Sequence, residues 1–277
     1  MLKARSLLIG IVCASLVALT GRWDRKEIEE IGIVLGIGLD AAKDRMTMVH
    51  SLAVPKAFAA KEKGKLKNYV NVVSEGDVVF KNVRDLAASL VRYPTYEHLK
   101  VVVISEELAR TFDLRKVMDF LLRNSETRRS IKVMISQNKA KDVFEPVPPL
   151  ESNSALKLSE LADAASQTLT IAPKLKLGEM SARLSAGTSF VMQRVTMTKQ
   201  GAKLSGGAVI RGSDGKWIGW LDENAMQGLN LMLKGDKRRN GIISATDPDS
   251  GARFVYEIRE LTSTITPGSR ETKSPLL

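Results

Sequence analysis

Short runs in which apolar residues alternate with small or polar ones predict β-strands near the start of the chain. The first run, 31–39, alternates the bulky residues Ile31, Ile33, Leu35, Ile37 and Leu39 with Gly32, Val34, Gly36 and Gly38. A polar turn separates it from a second run at 46–54, so the pair predicts an antiparallel hairpin. Further strands are predicted at 69–73, 99–104 and 131–135, and the continuous apolar run at 99–104 is typical of a central buried strand.

Helical spacing of apolar residues appears between these strands. One helix is predicted from Val79, Val83, Leu86 and Leu90, with Ser74 and Asp77 as candidate N-caps. Ser105 is expected to cap a short helix at 106–110, and a longer helix follows it, with Leu114, Val117, Met118, Leu121 and Leu122 on its buried face. Another helix is predicted at 151–166, with a buried side formed by Leu156, Leu158 and Leu161, and a short helical turn at 179–184.

From residue 189 the pattern changes to strands. They are predicted at 190–198, 201–211 and 216–221, with turns at Gln200-Gly201 and Asp214-Gly215. Asp222 is expected to cap a helix, and the last two strands, 241–245 and 252–262, flank a turn at 247–251. The sequence therefore predicts an α/β protein of the mixed α+β type, with mixed sheets and packed helices. Two consecutive domains are expected, an N-terminal α/β domain at 22–187 and a strand-rich domain at 188–277.

The first residues have the pattern of an export signal. Lys3 and Arg5 precede the uncharged apolar run 7–19, which has the length of a signal core and is short for a spanning helix. A buried amphipathic helix is disfavoured because the run is apolar on all faces. The segment 1–21 is therefore predicted to be a signal sequence that places the remaining chain outside the cytoplasm.

The end of this signal leaves the mode of attachment open. Leu19-Thr20-Gly21 is the kind of sequence that precedes the acylated cysteine of a bacterial lipoprotein, but position 22 is Arg22. An arginine has no thiol, so no lipidation is possible there. Ordinary cleavage is also poorly matched, because Leu19 stands where an A-x-A-like site needs alanine.

Composition narrows the function classes. The 277 residues are 44% hydrophobic and 26% charged, as in a folded protein of one or two domains. The single cysteine, Cys13, lies in the signal, which excludes disulfides, cysteine metal sites and thiol nucleophiles from the exported part. Subtracting Lys3 and Arg5 from the net charge of +11 leaves +9. Anionic lipid or wall polymer fits this charge better than nucleic acid, because only 5% of residues are aromatic.

Candidate chemical motifs are few. Gly36-Ile37-Gly38-Leu39-Asp40-Ala41 formally matches a dinucleotide-binding glycine motif, but a turn and a strand follow it instead of a helix. The glycines are therefore interpreted as a strand face that a helix packs against. His50 and His98 have no G-x-S-x-G serine in the sequence to act with. They are interpreted as structural, and no catalytic, cofactor or metal site is predicted.

Two basic clusters and a tryptophan pair remain. Lys61, Lys63, Lys65 and Lys67 form the first cluster, and Lys237, Arg238 and Arg239 form the second. Such runs are usually solvated loops; the alternative is contact with anionic lipid, worth about 1 kcal/mol per cation at the surface. Trp217 and Trp220 are expected to pack in the core or in a hairpin.

Several segments together resemble the Ger(x)C family, the lipoprotein C subunits of nutrient germinant receptors in endospore-forming bacteria. The matching residues are Leu19-Thr20-Gly21-x-Trp23-Asp24-Arg25-Lys26-Glu27-Ile28, 31–40, 98–109, Pro148-Pro149-Leu150-Glu151, Gly207-Ala208-Val209-Ile210, Gly219-Trp220-Leu221-Asp222 and Gly228-Leu229-Asn230. The likeness extends over most of 23–266. Each block alone is weak, and their common order makes the resemblance fairly specific.

The resemblance implies a function that the residues themselves do not show. The protein would be a non-enzymatic subunit on the outer face of the spore inner membrane, assembled with two membrane-embedded receptor subunits, without cofactor or nucleic acid. Two features depart from the family: Arg22 replaces the lipidated cysteine, and family members continue into a further C-terminal domain, so the second domain is expected to be truncated.

Two other functions are also compatible with the sequence. The first is an exported solute-binding or anionic-polymer-binding protein that captures its ligand through the basic surface. The second is a secreted hydrolase that uses His50 or His98, and the missing nucleophile motif makes it the weaker of the two.

Overall fold

The computed structural model describes residues 31–43, 45–54, 69–146, 153–165, 168–232 and 241–258. The strands in these ranges are β1 (Ile31–Ala42), β2 (Arg45–Ala53), β3 (Tyr69–Gly76), β4 (Tyr93–Thr95), β5 (Val101–Ser105), β6 (Lys132–Ser136), β7 (Phe190–Thr198), β8 (Gly201–Arg211), β9 (Lys216–Leu221), β10 (Gly241–Thr246) and β11 (Arg253–Ile258). The helices are α1 (Val79–Ser89), α2 (Glu106–Thr111), α3 (Leu114–Arg123), α4 (Ala140–Phe144), α5 (Ser154–Ala164), α6 (Leu177–Ser185) and α7 (Glu223–Met232).

One sheet organises the described part of the chain. Its order is β3-β2-β1-β5-β6-β7-β8-β9, and β4 pairs with the start of β1. The central strands β1, β5, β6 and β7 are parallel, whereas the strands toward both edges pair antiparallel. β10 and β11 form a separate two-stranded sheet. The mixed α+β class that the sequence predicts is confirmed.

Helices cover both faces of the sheet and give it two cores. On one face, α1, α2, α3 and α6 contribute residues such as Val79, Leu108, Met118 and Met180 to the first core. On the other face, α4 and α5 contribute residues such as Phe144 and Leu158 to the second core. Because β5 is covered on both faces, all five of its residues are buried, which confirms the central strand predicted at 99–104.

Local patterns located many elements correctly. The hairpin of β1 and β2 forms, with Leu39 opposite Met48. β7, β8 and β9 have the predicted bounds. The hydroxyl oxygen of Ser105 accepts a hydrogen bond from the Leu108 backbone N–H at 3.3 Å, and the Asp222 carboxylate accepts one from the Ala225 N–H at 2.7 Å. Both residues therefore cap helices as predicted.

The capping prediction for α1 was wrong. α1 begins after Val78, and no side chain caps it. Ser74 instead lies within β3, which pairs with β2 as far as Gly76 opposite Met46 and so extends beyond its predicted end. Asp77 forms surface ion pairs with Arg45 and Lys81.

The buried side predicted for the helix at 151–166 was only partly right. In α5 the buried residues are Ser154, Ala155, Leu158 and Ala162. Leu156 and Leu161 are only partly buried at the margin of the second core. Small residues face the sheet because α5 passes very close to β1: a Cβ built on Gly36 would lie 2.6 Å from the Ala155 Cβ.

Some predictions concern parts of the chain outside the described ranges. These parts include the predicted signal 1–21 and both basic clusters. Among the residues that the structure describes, no helix is long and apolar enough to cross a membrane. The predicted domain boundary follows Gly187, in the loop between α6 and β7, and the large sheet takes strands from both sides of that loop.

Candidate interaction site

The carboxyl ends of the central strands form a natural place for a site. α2, which follows β5, packs on one face of the sheet, and α4, which follows β6, packs on the other. Ligands of open α/β sheets bind where successive connections diverge in this way. A crevice of about 710 Å³ lies there, which we call the carboxyl-end crevice; its lining includes Glu106, Glu107, Arg110, Asn138, Lys139 and Asp142.

The buried polar groups beneath this crevice are engaged in helix capping. The Asp40 carboxylate, at the end of β1, accepts hydrogen bonds from the backbone N–H groups of Ala140 at 2.6 Å and Lys141 at 2.9 Å. It thereby satisfies the first turn of α4, whose own N-cap residue, Lys139, makes no side-chain cap. Burial raises the pKa of Asp40 from its ordinary value, against the lowering effect of these bonds. The Asp40 carboxylate therefore has a structural role as the cap of α4.

The glycine motif on β1 serves packing as well. A Cβ on Gly36 would lie 2.6 Å from the Phe144 ring, and a Cβ on Gly38 would lie 3.1 Å from the same ring and 2.5 Å from Val49. The glycines therefore leave room for α4 and α5 to approach the strand, which confirms their interpretation as a packing face.

The two histidines occupy unlike environments. His50 is fully buried in β2, and in the described part of the chain neither of its ring nitrogens has a hydrogen-bond partner. Burial lowers the pKa of His50 to about 3, so its ring is neutral near pH 7. His98 is exposed in the turn before β5. The burial of His50 favours a structural role for that residue, and the role of His98 stays a prediction.

Trp217 and Trp220 pack on the first core, as predicted. Their ring centroids are 5.3 Å apart, and the guanidinium groups of Arg110 and Arg194 lie over them at 5.0 and 5.5 Å. The Trp220 indole N–H donates to the Glu106 carboxylate at 3.1 Å. This cluster joins α2, β7 and β9.

A second concave surface has a different character. A groove of about 820 Å³ runs between α1 and α3, with β4 and the residues after it along its floor. We call it the aromatic groove because its lining includes the rings of Phe80, Tyr93, Tyr96 and Phe120. The Phe80 and Phe120 centroids are 5.7 Å apart, and Phe80 and Tyr93 remain 50% and 53% exposed.

Charges of both signs surround these rings. The Arg84 guanidinium lies 5.0 Å over Phe80, and on α3 Arg123 pairs with Asp119 at 2.8 Å. The Glu126 carboxylate accepts a hydrogen bond from the Tyr96 backbone N–H at 3.0 Å. A groove of this kind suits the binding of an apolar segment flanked by charges.

Beneath the groove lies an unusual pair of buried polar side chains. The Tyr96 hydroxyl has no hydrogen-bond partner within the described ranges, and burial raises its pKa. The Tyr96 ring meets the His50 ring edge to face, with centroids 6.3 Å apart. The sequence pattern did not predict this groove; its one local signal is Phe80, a large apolar residue next to Val79 and outside the predicted apolar face of the helix.

The chain matches two family models in order. The model described as the spore germination protein N-terminal domain matches residues 24–197. The model described as spore germination B3/GerAC like, C-terminal, matches residues 205–274. The first match alone covers more than half of the chain.

Individual proteins similar to this chain are also named spore germination proteins. Spore germination protein YndF of Bacillus subtilis (strain 168) is 28% identical over 285 residues, which is 93% of this chain and 69% of that protein. Spore germination proteins B3 and A3 of the same organism are 28% and 26% identical, each over 91% of this chain. The chain covers 67% of B3 and 65% of A3, so it spans about two thirds of these relatives.

A solved structure is also similar. The crystal structure of the GerBC protein aligns with 81% of this chain and 62% of its own, at 23% sequence identity and a TM-score of 0.46. The family models and the relatives together confirm the resemblance seen in the sequence: the chain belongs to the GerAC-like family of spore germination proteins.

Proposed function

We propose that this protein is a non-enzymatic, extracytoplasmic subunit of a spore nutrient germinant receptor that acts by assembly with membrane-embedded partner subunits. The observation that carries the proposal is the ordered match to both germination family models, at 24–197 and 205–274. The related proteins B3, A3 and KC are all named spore germination proteins.

A binding role is supported by how the described residues use their polar groups. At the carboxyl-end crevice, where an α/β enzyme would hold its substrate, Asp40 caps α4 and Ser105 caps α2. His50 lies in the core and is neutral near pH 7 because burial lowers its pKa. The aromatic groove offers apolar rings and ion pairs, which suit binding.

The extracytoplasmic location rests on the sequence. Lys3, Arg5 and the apolar run 7–19 have the pattern of an export signal, and Arg22 leaves a lipid anchor without its thiol. The basic charge of the remaining chain suits a position beside anionic lipid. A signal anchor that is retained, or contact with the partner subunits, would hold the protein at the membrane.

The test uses the full chain in a spore-forming host that lacks the gene. Spores of the deletion strain should lose the nutrient-triggered fall in optical density, and the restored gene should recover it. A tagged full chain should fractionate with the spore inner membrane and co-purify multi-span membrane proteins. Normal nutrient germination in the deletion strain, or a tagged chain confined to the soluble spore core, would contradict the proposal.

The second candidate, an exported anionic-polymer-binding protein, is favoured by the net charge of +11 alone. Calorimetry of the purified full chain against a wall polymer separates the two functions. Tight binding without any membrane partner would favour the second candidate. Binding seen only at low salt would reflect nonspecific charge attraction.

A further inference from the structure

We propose that the aromatic groove receives the segment of this same chain that immediately precedes β1, residues 23–30, with Trp23 and Ile28 against the rings of the groove. This segment lies outside the described residues, and the matched N-terminal germination model begins within it, at residue 24. The inference does not depend on the proposed receptor function, because it concerns only how the chain engages its own body.

The point where the chain joins the sheet supports this occupant. The first three residues of β1 pair in parallel with β4, and Ile31 lies opposite Tyr93. Tyr93 also lines the aromatic groove. A segment that ends at residue 30 is therefore tethered beside β4, at the floor of the groove.

The segment 23–30 is long enough to lie along most of the groove, whether it forms a helix or a strand. Eight residues span about 12 Å as a helix and about 26 Å as a strand. α1 has 11 residues and α3 has 10, so each wall is about 15 Å long. The tether also keeps the local concentration of the segment in the millimolar range, well above that of a partner in solution.

The chemistry of the segment matches that of the groove. Its sequence, Trp-Asp-Arg-Lys-Glu-Ile-Glu-Glu, offers two large apolar residues among four acids and two bases. The rings of Phe80 and Phe120 can pack against an indole. The cation Arg84 can pair with the glutamates of the segment, and the acid Glu126 can pair with Arg25 or Lys26.

Cysteine cross-linking tests the placement in the full chain. With Cys13→Ser as background, Ile28→Cys is combined either with Ala87→Cys, on the groove wall, or with Ala88→Cys, an exposed neighbour on the same helix that does not line the groove. Mild oxidation should give an intrachain disulfide with position 87 at about five times the yield with position 88 or more, because the bond needs matched Cβ positions.

The other cross-linking outcomes overturn the inference. Equal yields at positions 87 and 88 would mean that the segment does not enter the groove. Disulfides between two chains, seen on a non-reducing gel, would assign the groove to a second copy. Loss of receptor function in a strain that still gives the intrachain bond at position 87 would reject the proposed function and leave this inference standing.

Hydrogen exchange of the full chain provides a second measurement. The double variant Trp23→Ser/Ile28→Ser leaves every described residue of the sheet and of its two cores unchanged. Amides of α1 and β4 should exchange several-fold faster than in the unaltered chain, and those of the central strand β6 should not change. Unaltered exchange in α1 and β4 would refute the docking.

Discussion

The carboxyl-end crevice and the aromatic groove lie on the same sheet, but the buried polar groups beneath them differ in whether they have hydrogen-bond partners. At the crevice, Asp40 and Ser105 are satisfied by backbone N–H groups of the helices that begin there. Below the groove, neither the Tyr96 hydroxyl nor the His50 ring nitrogens have a hydrogen-bond partner among the described residues, and the rings of Phe80 and Tyr93 above them are about half exposed.

The difference shows which surface is available for binding. Buried groups that already hold a helix cannot change partners without loss of stability. Exposed rings such as Phe80 and Tyr93 can be covered at a gain, because contact removes their apolar area from water. In this protein the described polar groups at the usual ligand position of an α/β sheet cap helices, and a groove with half-exposed aromatic rings lies between α1 and α3.

The largest effect on the free energy of unfolding should come from the packing of α4 below the carboxyl-end crevice. Phe144→Ala removes a fully buried ring from α4, where it fills the gap left by Gly36 and Gly38. We expect the free energy of unfolding in urea to fall by about 3–5 kcal/mol. Phe254→Ala, at a ring that is 47% exposed on β11, is the matched control and should change it by less than about 1 kcal/mol. Similar losses in both variants would contradict the packing described for α4.

An intermediate effect on the free energy of unfolding is expected from His50, which lies below the groove, and this effect depends on pH. Burial lowers the pKa of His50 to about 3 from 6.5, so below pH 6.5 the unfolded chain binds a proton that the folded chain does not. The stability contributed by neutral His50 is complete above pH 6.5 and is lost as the pH falls toward 3. The loss reaches about 1.4 kcal/mol per pH unit.

Replacing the ring tests that dependence. His50→Leu should remove this part of the pH slope when urea unfolding is compared at about pH 7 and pH 5. It should cost little at neutral pH, because it exchanges an unpartnered buried polar group for an apolar one. His98→Leu, at an exposed site, should keep the slope. An unchanged slope in His50→Leu would mean that His50 is not buried and neutral.

The smallest effect on stability should come from the groove surface. Phe80→Ser changes a ring that is 50% exposed, and we expect a change of about 0.5 kcal/mol or less in the free energy of unfolding. Its effect should appear instead in function, as slower nutrient germination of spores that carry the variant. Ile218→Ser, equally exposed on β9, is the control and should leave germination unchanged. Equal impairment by both variants would show that the groove has no special role.

Elements that depend on neighbouring residues could be read from the sequence. The bounds of β8 and β9 followed from turns at Gly201 and Gly215, both of which adopt positive φ angles of 102° and 65°. The Ser105 cap was predictable because a cap and its helix are adjacent in sequence. β4 and α4 were not predicted, since they have only three and five residues and depend on distant partners.

The candidate site also depends on contacts between distant residues, which the sequence pattern does not show. α4 is capped by Asp40, 100 residues away, and no local pattern indicates such a bond. The aromatic groove brings together Phe80, Tyr96 and Phe120 from separate elements. The sequence indicated that these residues are apolar or amphipathic, but not that they lie side by side, because the packing of α1 against α3 places them there.

Taken alone, the order of residues was enough to establish the mixed α+β class, most strands and helices, and membership of the germination family. These conclusions rest on periodicity, turn chemistry and short motifs, all of which act over a few residues. The folded chain alone decided which strands lie parallel, which polar groups are consumed by capping, and where an open apolar surface remains. Those outcomes depend on contacts between residues far apart in sequence, and such contacts exist only after the sheet has assembled.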